Sequence, residues 1–138
     1  MTKIFVDTSA LIALFVVQDQ GHITAKNKYR DYVKENSFFS TNFEVIGETY
    51  TKITTSLGGY FLKIAVNKIN ELEKIGTLNI FQIDAVAFKE SEKIMLKFSE
   101  HRISFTDATI YYFVKEYRLD EVFTLDSDFK KIGLKTSF

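Results

Sequence analysis

The stretch Ile4-Phe5-Val6-Asp7-Thr8-Ser9-Ala10-Leu11-Ile12-Ala13-Leu14-Phe15 sets the frame for the whole chain. Ile4-Phe5-Val6 is a short apolar run that stops at an acid, the pattern of a buried strand. Thr8 and Ser9 then offer capping hydroxyls ahead of the apolar run Ala10 to Phe15, which has helical character. Strand, acidic turn and helix are the predicted first unit.

The same grammar repeats outward. Gly21 breaks the unit, and a helix is predicted from Thr24 to Glu35, followed by a short strand at Phe38-Phe39-Ser40. Asn42 caps a predicted helix that runs to Thr55, and Gly58-Gly59 separates it from another that ends near Lys74. Leu78 to Ile83 reads as a strand, and Asp84 caps a helix from Ala85 to Ser99. Ile103 to Thr106 leads into Asp107 and an apolar helix ending near Tyr117. Val122 to Leu125 is a strand that stops at Asp126, and Gly133 to Phe138 is a candidate terminal strand. Strands alternating with helices predict an α/β domain whose parallel sheet is covered on both faces. With 138 residues, no repeat and no linker, a single domain over 1–138 is expected.

Composition removes several classes of function. Eighteen Lys and Arg balance eighteen Asp and Glu, so broad electrostatic binding of nucleic acid is not expected. The chain has no Cys and two His, which excludes disulfides, thiolate–zinc sites, thiol catalysis and histidine-rich metal sites. The longest strongly apolar stretch, Ala10 to Val17, is too short to span a bilayer. Asp7 arrives too early for a secretory signal, so a cytoplasmic protein without a membrane partner is expected.

Four acids stand where solvation explains them poorly. Asp7 and Asp126 each follow an apolar strand, and in open parallel sheets ligands bind at the carboxyl ends of strands. Asp107 begins a helix that is apolar almost all round and must be buried. Glu48 projects away from the Phe43, Ile46, Tyr50 and Ile53 stripe of its helix. Each also suits an ordinary role: a turn residue, a cap, or, for Glu48, an i, i+4 partner of Lys52. As a set they are more telling, because clustered carboxylates repel one another unless a cation neutralises them. Oxygen-only ligation points to Mg²⁺ or Mn²⁺.

These residues carry a family resemblance. Phe5-Val6-Asp7-Thr8-Ser9-Ala10-Leu11-Ile12-Ala13-Leu14 resembles the opening of PIN-domain ribonucleases, whose best-known members are VapC-type toxins. Ser40 to Thr51 is similar to the second PIN block, with Glu48 rather than Glu44 as its acid. Ile103-Ser104-Phe105-Thr106-Asp107-Ala108 resembles the third block, and Val122 to Phe129 the fourth. The resemblance implies a three-layer α/β/α sandwich around a short, mainly parallel sheet. It also implies an Mg²⁺- or Mn²⁺-dependent endoribonuclease that hydrolyses RNA, working as a homodimer and as the toxin partner of a small antitoxin protein. In that reading Asp7, Asp107 and Asp126 hold one or two ions. Glu48 holds the second ion or orients water, and Asp128 is an accessory ligand or a loop-ordering residue. Thr8, Ser9 and Thr124 donate to the substrate phosphate or to the carboxylates.

Other α/β phosphate chemistries fit worse. A dehalogenase-like phosphatase needs an acid two residues after its nucleophile, where Ser9 stands. A response-regulator receiver needs an acidic pair near the first strand. P-loop and dinucleotide sites need glycines that the Asp7-Thr8-Ser9 turn lacks. A non-catalytic or housekeeping PIN-fold module that binds RNA or protein is the alternative. Lys26, Lys28, Arg30 and Lys34, and the Lys89, Lys93, Lys97 row, are expected mainly to be solvated. His22 and His101 are expected at the surface or in loops, and Tyr111, Tyr112, Phe113 and Tyr117 in the core or a dimer face.

Overall fold

The first strand, β1 (Lys3–Val6), is buried at Ile4, Phe5 and Val6, as a central parallel strand covered on both faces must be. The structure, a computed structural model, describes residues 1–138. After β1 come α1 (Thr8–Phe15), α2 (His22–Lys34), β2 (Phe38–Asn42), α3 (Phe43–Leu57), α4 (Gly59–Lys74) and β3 (Leu78–Phe81). The chain continues through α5 (Ala85–Lys97), a 3₁₀ turn (Ser99–His101), α6 (Phe105–Glu116), β4 (Glu121–Phe123) and α7 (Asp128–Lys131).

The sheet order is β3-β2-β1-β4, with every pair parallel. Phe5 stands opposite Ser40 on one side and Val122 on the other. Helix α1 packs on α2, α3 and α4, while α5 pairs with α6, giving the expected α/β/α sandwich. No helix is long and apolar enough to cross a membrane. The core joins Ile4, Phe5, Leu11, Tyr32, Ile110, Phe113, Phe123 and Phe129, all buried. Burying one such large side chain contributes about 1.5–3 kcal/mol. From β1 the chain steps outward to β2 and β3, then returns to place β4 on the other flank of β1. The carboxyl ends of β1 and β4 therefore border a topological switch point, where open parallel sheets form their ligand crevices.

Several boundaries depart from the sequence reading. Helix α1 starts at Thr8, so Thr8 and Ser9 lie inside it and neither caps it. Helix α2 begins at His22, whose Nδ1 lies 2.7 Å from the Ala13 carbonyl oxygen, which ties this half-buried ring to α1. Helix α6 starts at Phe105, because Ser104 and Asp107 form a reciprocal capping box. Strand β4 covers Glu121–Phe123, and Leu125 lies beyond it, exposed. The terminal strand reduces to one bridge, Thr136 beside Val122. On α3 the buried stripe is Val45, Ile46, Thr49 and Ile53, and Phe43 faces solvent instead. The Asn42 cap, which accepts from the Val45 amide, fixes that rotation.

Candidate active site

The switch point opens into a cavity of about 760 Å³, lined by Asp7, Thr8, Glu48, Ser104, Asp107 and Asp126 among others. Its four acids come from four segments: the end of β1, the middle of α3, the first turn of α6 and the loop after β4. All four candidate carboxylates from the sequence thus share one cavity.

Asp7 is the buried centre. The Thr124 hydroxyl donates to its Oδ2 at 2.8 Å, and the Ser9 hydroxyl lies 3.3 Å from the same atom. Thr124 Oγ1 in turn accepts from the Asp126 amide at 3.0 Å, and Ser9 Oγ accepts from the Leu125 amide at 3.0 Å. The loop after β4 is therefore stitched to the end of β1 by two hydroxyls. The Asp7 carboxyl is pushed up to about 6, chiefly by burial and in lesser part by the Asp107 and Glu48 charges, against the Thr124 hydroxyl and the Thr8 amide. Asp107 is also held above the ordinary carboxylate range, by burial first and then by Glu48 and Asp126, against the stabilising bonds of Ser104. Each acid thus feels at least one of the others.

A common pattern runs through the set. Asp7 commits Oδ2 to hydroxyls, Asp107 commits Oδ2 to the Ser104 amide, and Asp126 commits Oδ1 to the Asp128 amide. Glu48 commits Oε1 to the Lys52 ammonium at 3.4 Å. Among these bonds no carboxylate has both oxygens engaged, although the Thr8 amide also reaches the Asp7 carboxylate. Thr8 Oγ1, at the cavity wall, is buried and without a partner. A buried hydroxyl left in this state is uncommon and points to a group that completes it.

The remaining candidates divide. Thr8 and Ser9 line the cavity, whereas Thr124 stands behind Asp7 and addresses the carboxylate. Asp128 is outside the cavity, its carboxylate 3.2 Å from Lys131 and its amide bonded to Asp126. Sequence reasoning missed Ser104, which orients Asp107, although a Ser with an acid three residues later is a readable capping signal. It also missed Ser137, whose Oγ accepts from the Thr124 amide at 3.1 Å and donates to the Thr124 carbonyl at 2.9 Å. No local signal marks that contact.

The donor set fits a hard divalent cation by chemistry: oxygen ligands only, and like charges that repel one another. As placed, however, no three acidic side chains stand close enough to hold one ion between them. A cation would have to draw the side chains inward, in competition with the Lys52 ammonium at Glu48.

Known proteins share this arrangement of elements. The chain matches the PIN-domain family over residues 4–135. It is 25% identical, over 95% of its length and 93% of the relative's, to ribonuclease VapC6 of Methanocaldococcus jannaschii. Its fold superposes on Mycobacterium tuberculosis VapC20, described as a sarcin–ricin loop cleaving toxin, with a TM-score of 0.79, 25% identity and 95% coverage of each chain. It also superposes on Rickettsia felis VapBC2, solved bound to a DNA fragment from their promoter, with a TM-score of 0.71, 14% identity and coverage of 98% and 97%. By that match across nearly its whole length, the chain belongs to the PIN-domain family.

Proposed function

We propose that the protein is a divalent-cation-dependent endoribonuclease that hydrolyses RNA phosphodiester bonds, and that it is the toxin of a VapBC-type pair. The observation that carries this reading is the set of four carboxylates, from four segments of the chain, on one cavity. The ribonuclease and toxin names of its relatives support the substrate and the biological setting. From the same likeness we expect a homodimer, a small antitoxin partner and a cytoplasmic site of action.

When bound, Mg²⁺ or Mn²⁺ supplies neutralisation of the acids, activation of water and charge stabilisation at phosphorus. Asp7, Asp107 and Asp126 would hold the cation, with Glu48 holding a second ion or orienting water. Thr124 and Ser9 keep the Asp7 carboxylate in one orientation, and Ser104 does so for Asp107. Thr8 Oγ1 has a proton to donate and no acceptor in the protein, so it suits a phosphate oxygen at the cavity wall. Hydrolysis breaks one P–O bond, adds hydroxide to phosphorus and returns the proton to the leaving oxygen.

The test is cleavage of single-stranded RNA by purified protein, with Mn²⁺ or Mg²⁺ and with EDTA. Cleavage that appears with metal, stops with chelator and is lost in Asp7→Asn is the expected result. If calorimetry shows no Mn²⁺ binding and no RNA is cut, the reading falls and a non-catalytic PIN-fold binding module takes its place.

A further inference from the structure

A second lobe opens from the carboxylate cavity along α3. It has a volume of about 470 Å³, and Glu48 and Lys52 line both spaces. That volume lies within the range of small-molecule sites. Its other walls include Phe43, Gly47, Thr51 and Thr106. Positions 43, 47, 48, 51 and 52 recur at helical spacing, so one face of α3 forms the floor.

Two residues on that floor are unexplained by the fold. Gly47 sits in the middle of a 15-residue helix, where glycine costs about 1 kcal/mol relative to alanine. Nothing in the packing requires it: an added Cβ there would meet no atom within 4 Å, and the backbone shows no positive φ. The missing side chain leaves the lobe open. Phe43 is 49% exposed at the start of α3, beside the lobe and outside the core. A bare helix face next to an exposed ring, one turn from the reacting centre, has the shape of a stacking platform.

Charge fixes the polarity of such a platform. Lys52 is the one cation lining either space, and it stands at the junction between them. Glu44 lines the Phe43 end. A phosphate therefore belongs at the Lys52 end, where it would share the ammonium with Glu48 at 3.4 Å, and an uncharged base at the Phe43 end.

We propose that this lobe is a subsite for the nucleotide next to the scissile phosphate of single-stranded RNA, its base stacked on Phe43 over Gly47 and its phosphate at Lys52. The inference rests on the ribonuclease reading above and adds where the strand lies. Base–aromatic stacking makes the subsite tolerant of base identity.

The test measures binding of a short single-stranded RNA in the uncleaving Asp7→Asn background, and cleavage in the otherwise native chain. Phe43→Ala should weaken binding about tenfold, and Phe43→Trp should restore it. Gly47→Gln should raise the melting temperature, since it replaces a helix glycine, yet weaken binding and cleavage by blocking the lobe. Lys52→Ala should lower the slope of log affinity against log salt by about 1. Loss of RNA binding in a variant that is more heat-stable cannot come from unfolding. If the native chain cuts RNA while Phe43→Ala and Gly47→Gln bind and cut as it does, the subsite is refuted and the nuclease reading stands. If those variants bind RNA normally but lose a cognate antitoxin, the face is a protein interface and the inference also fails. If the native chain neither binds nor cuts RNA, both readings fall together.

Discussion

Two buried acids flank the same pair of strands and are treated in opposite ways. Glu121, at the start of β4, receives the Tyr32 hydroxyl on one oxygen and the Lys135 ammonium at 3.4 Å on the other. Burial and that carboxylate together push the Tyr32 phenol upward, so it remains a donor. Asp7, at the end of β1, has two hydroxyls on one oxygen, no cation beside it, and the charges of Asp107 and Glu48 nearby. A buried acid with counter-groups on both oxygens is part of the architecture. One surrounded by like charge is a cost that the fold carries for a purpose outside itself. Burial alone does not distinguish them, since Asp7 is 6% exposed and Glu121 7%.

Four measurements would break or sharpen that contrast. The largest effect is expected from Asp7→Asn, which should lower cleavage by more than about a hundredfold, exceeding the loss typical of a residue that only supports a metal ligand. Circular dichroism should show the fold intact. Retained turnover in protein free of contaminating nuclease would remove Asp7 from the mechanism. Next is Thr124→Val, which takes away the hydroxyl on Asp7 without changing volume. It should weaken Mn²⁺ binding and cleavage by about ten- to a hundredfold, and isothermal calorimetry reads the binding directly. An unchanged affinity would mean that Thr124 supports only the loop.

The third is thermodynamic. The native value of Asp7, about 6, lies above its ordinary 3.8, so the folded chain binds the extra proton between those limits. Stability in EDTA should therefore fall as pH rises through that window, by on the order of 2–3 kcal/mol from this group. Asp7→Asn should melt higher than the native chain at pH 7 and match it near pH 4, while Mn²⁺ should stabilise only the native chain. A native chain whose metal-free stability is flat over this window would show that Asp7 is not held against its charge. The smallest effect is expected at the other acid. Glu121→Gln should cost about 1–3 kcal/mol in chemical denaturation and leave the cleavage rate of the folded protein unchanged. A variant that folds as well as the native chain but cuts more slowly would erase the distinction between the two acids.

What the sequence made legible was whatever lies close together along it. Ile4 to Asp7 and Val122 to Asp126 show their strand ends because an apolar run stops at an acid within a few residues. Asp107 is legible as an acid before a buried helix, but its orientation depends on the reciprocal bonds with Ser104 that start the helix at Phe105. Apolar spacing alone puts Phe43 on the buried stripe of α3, whereas the Asn42 cap and buried Thr49 set the actual rotation. Thr124 suggested a substrate donor, since hydroxyls near phosphate sites often are; its bond to Asp7 crosses 117 positions and only the folded chain shows it. Ser137 lay beyond reach for the same reason. The gathering of the acids could be suspected from their types and strand positions. The hydroxyls that hold Asp7 could not.

The order β3-β2-β1-β4 has a consequence for the chain as it is made. Until residues 121–126 emerge and dock, β1 is an open sheet edge, Asp7 lacks its Thr124 donor, and the quartet of acids is a trio. The cavity is thus completed by the strand that joins the sheet last in chain order, so its assembly requires the docking of β4 against β1.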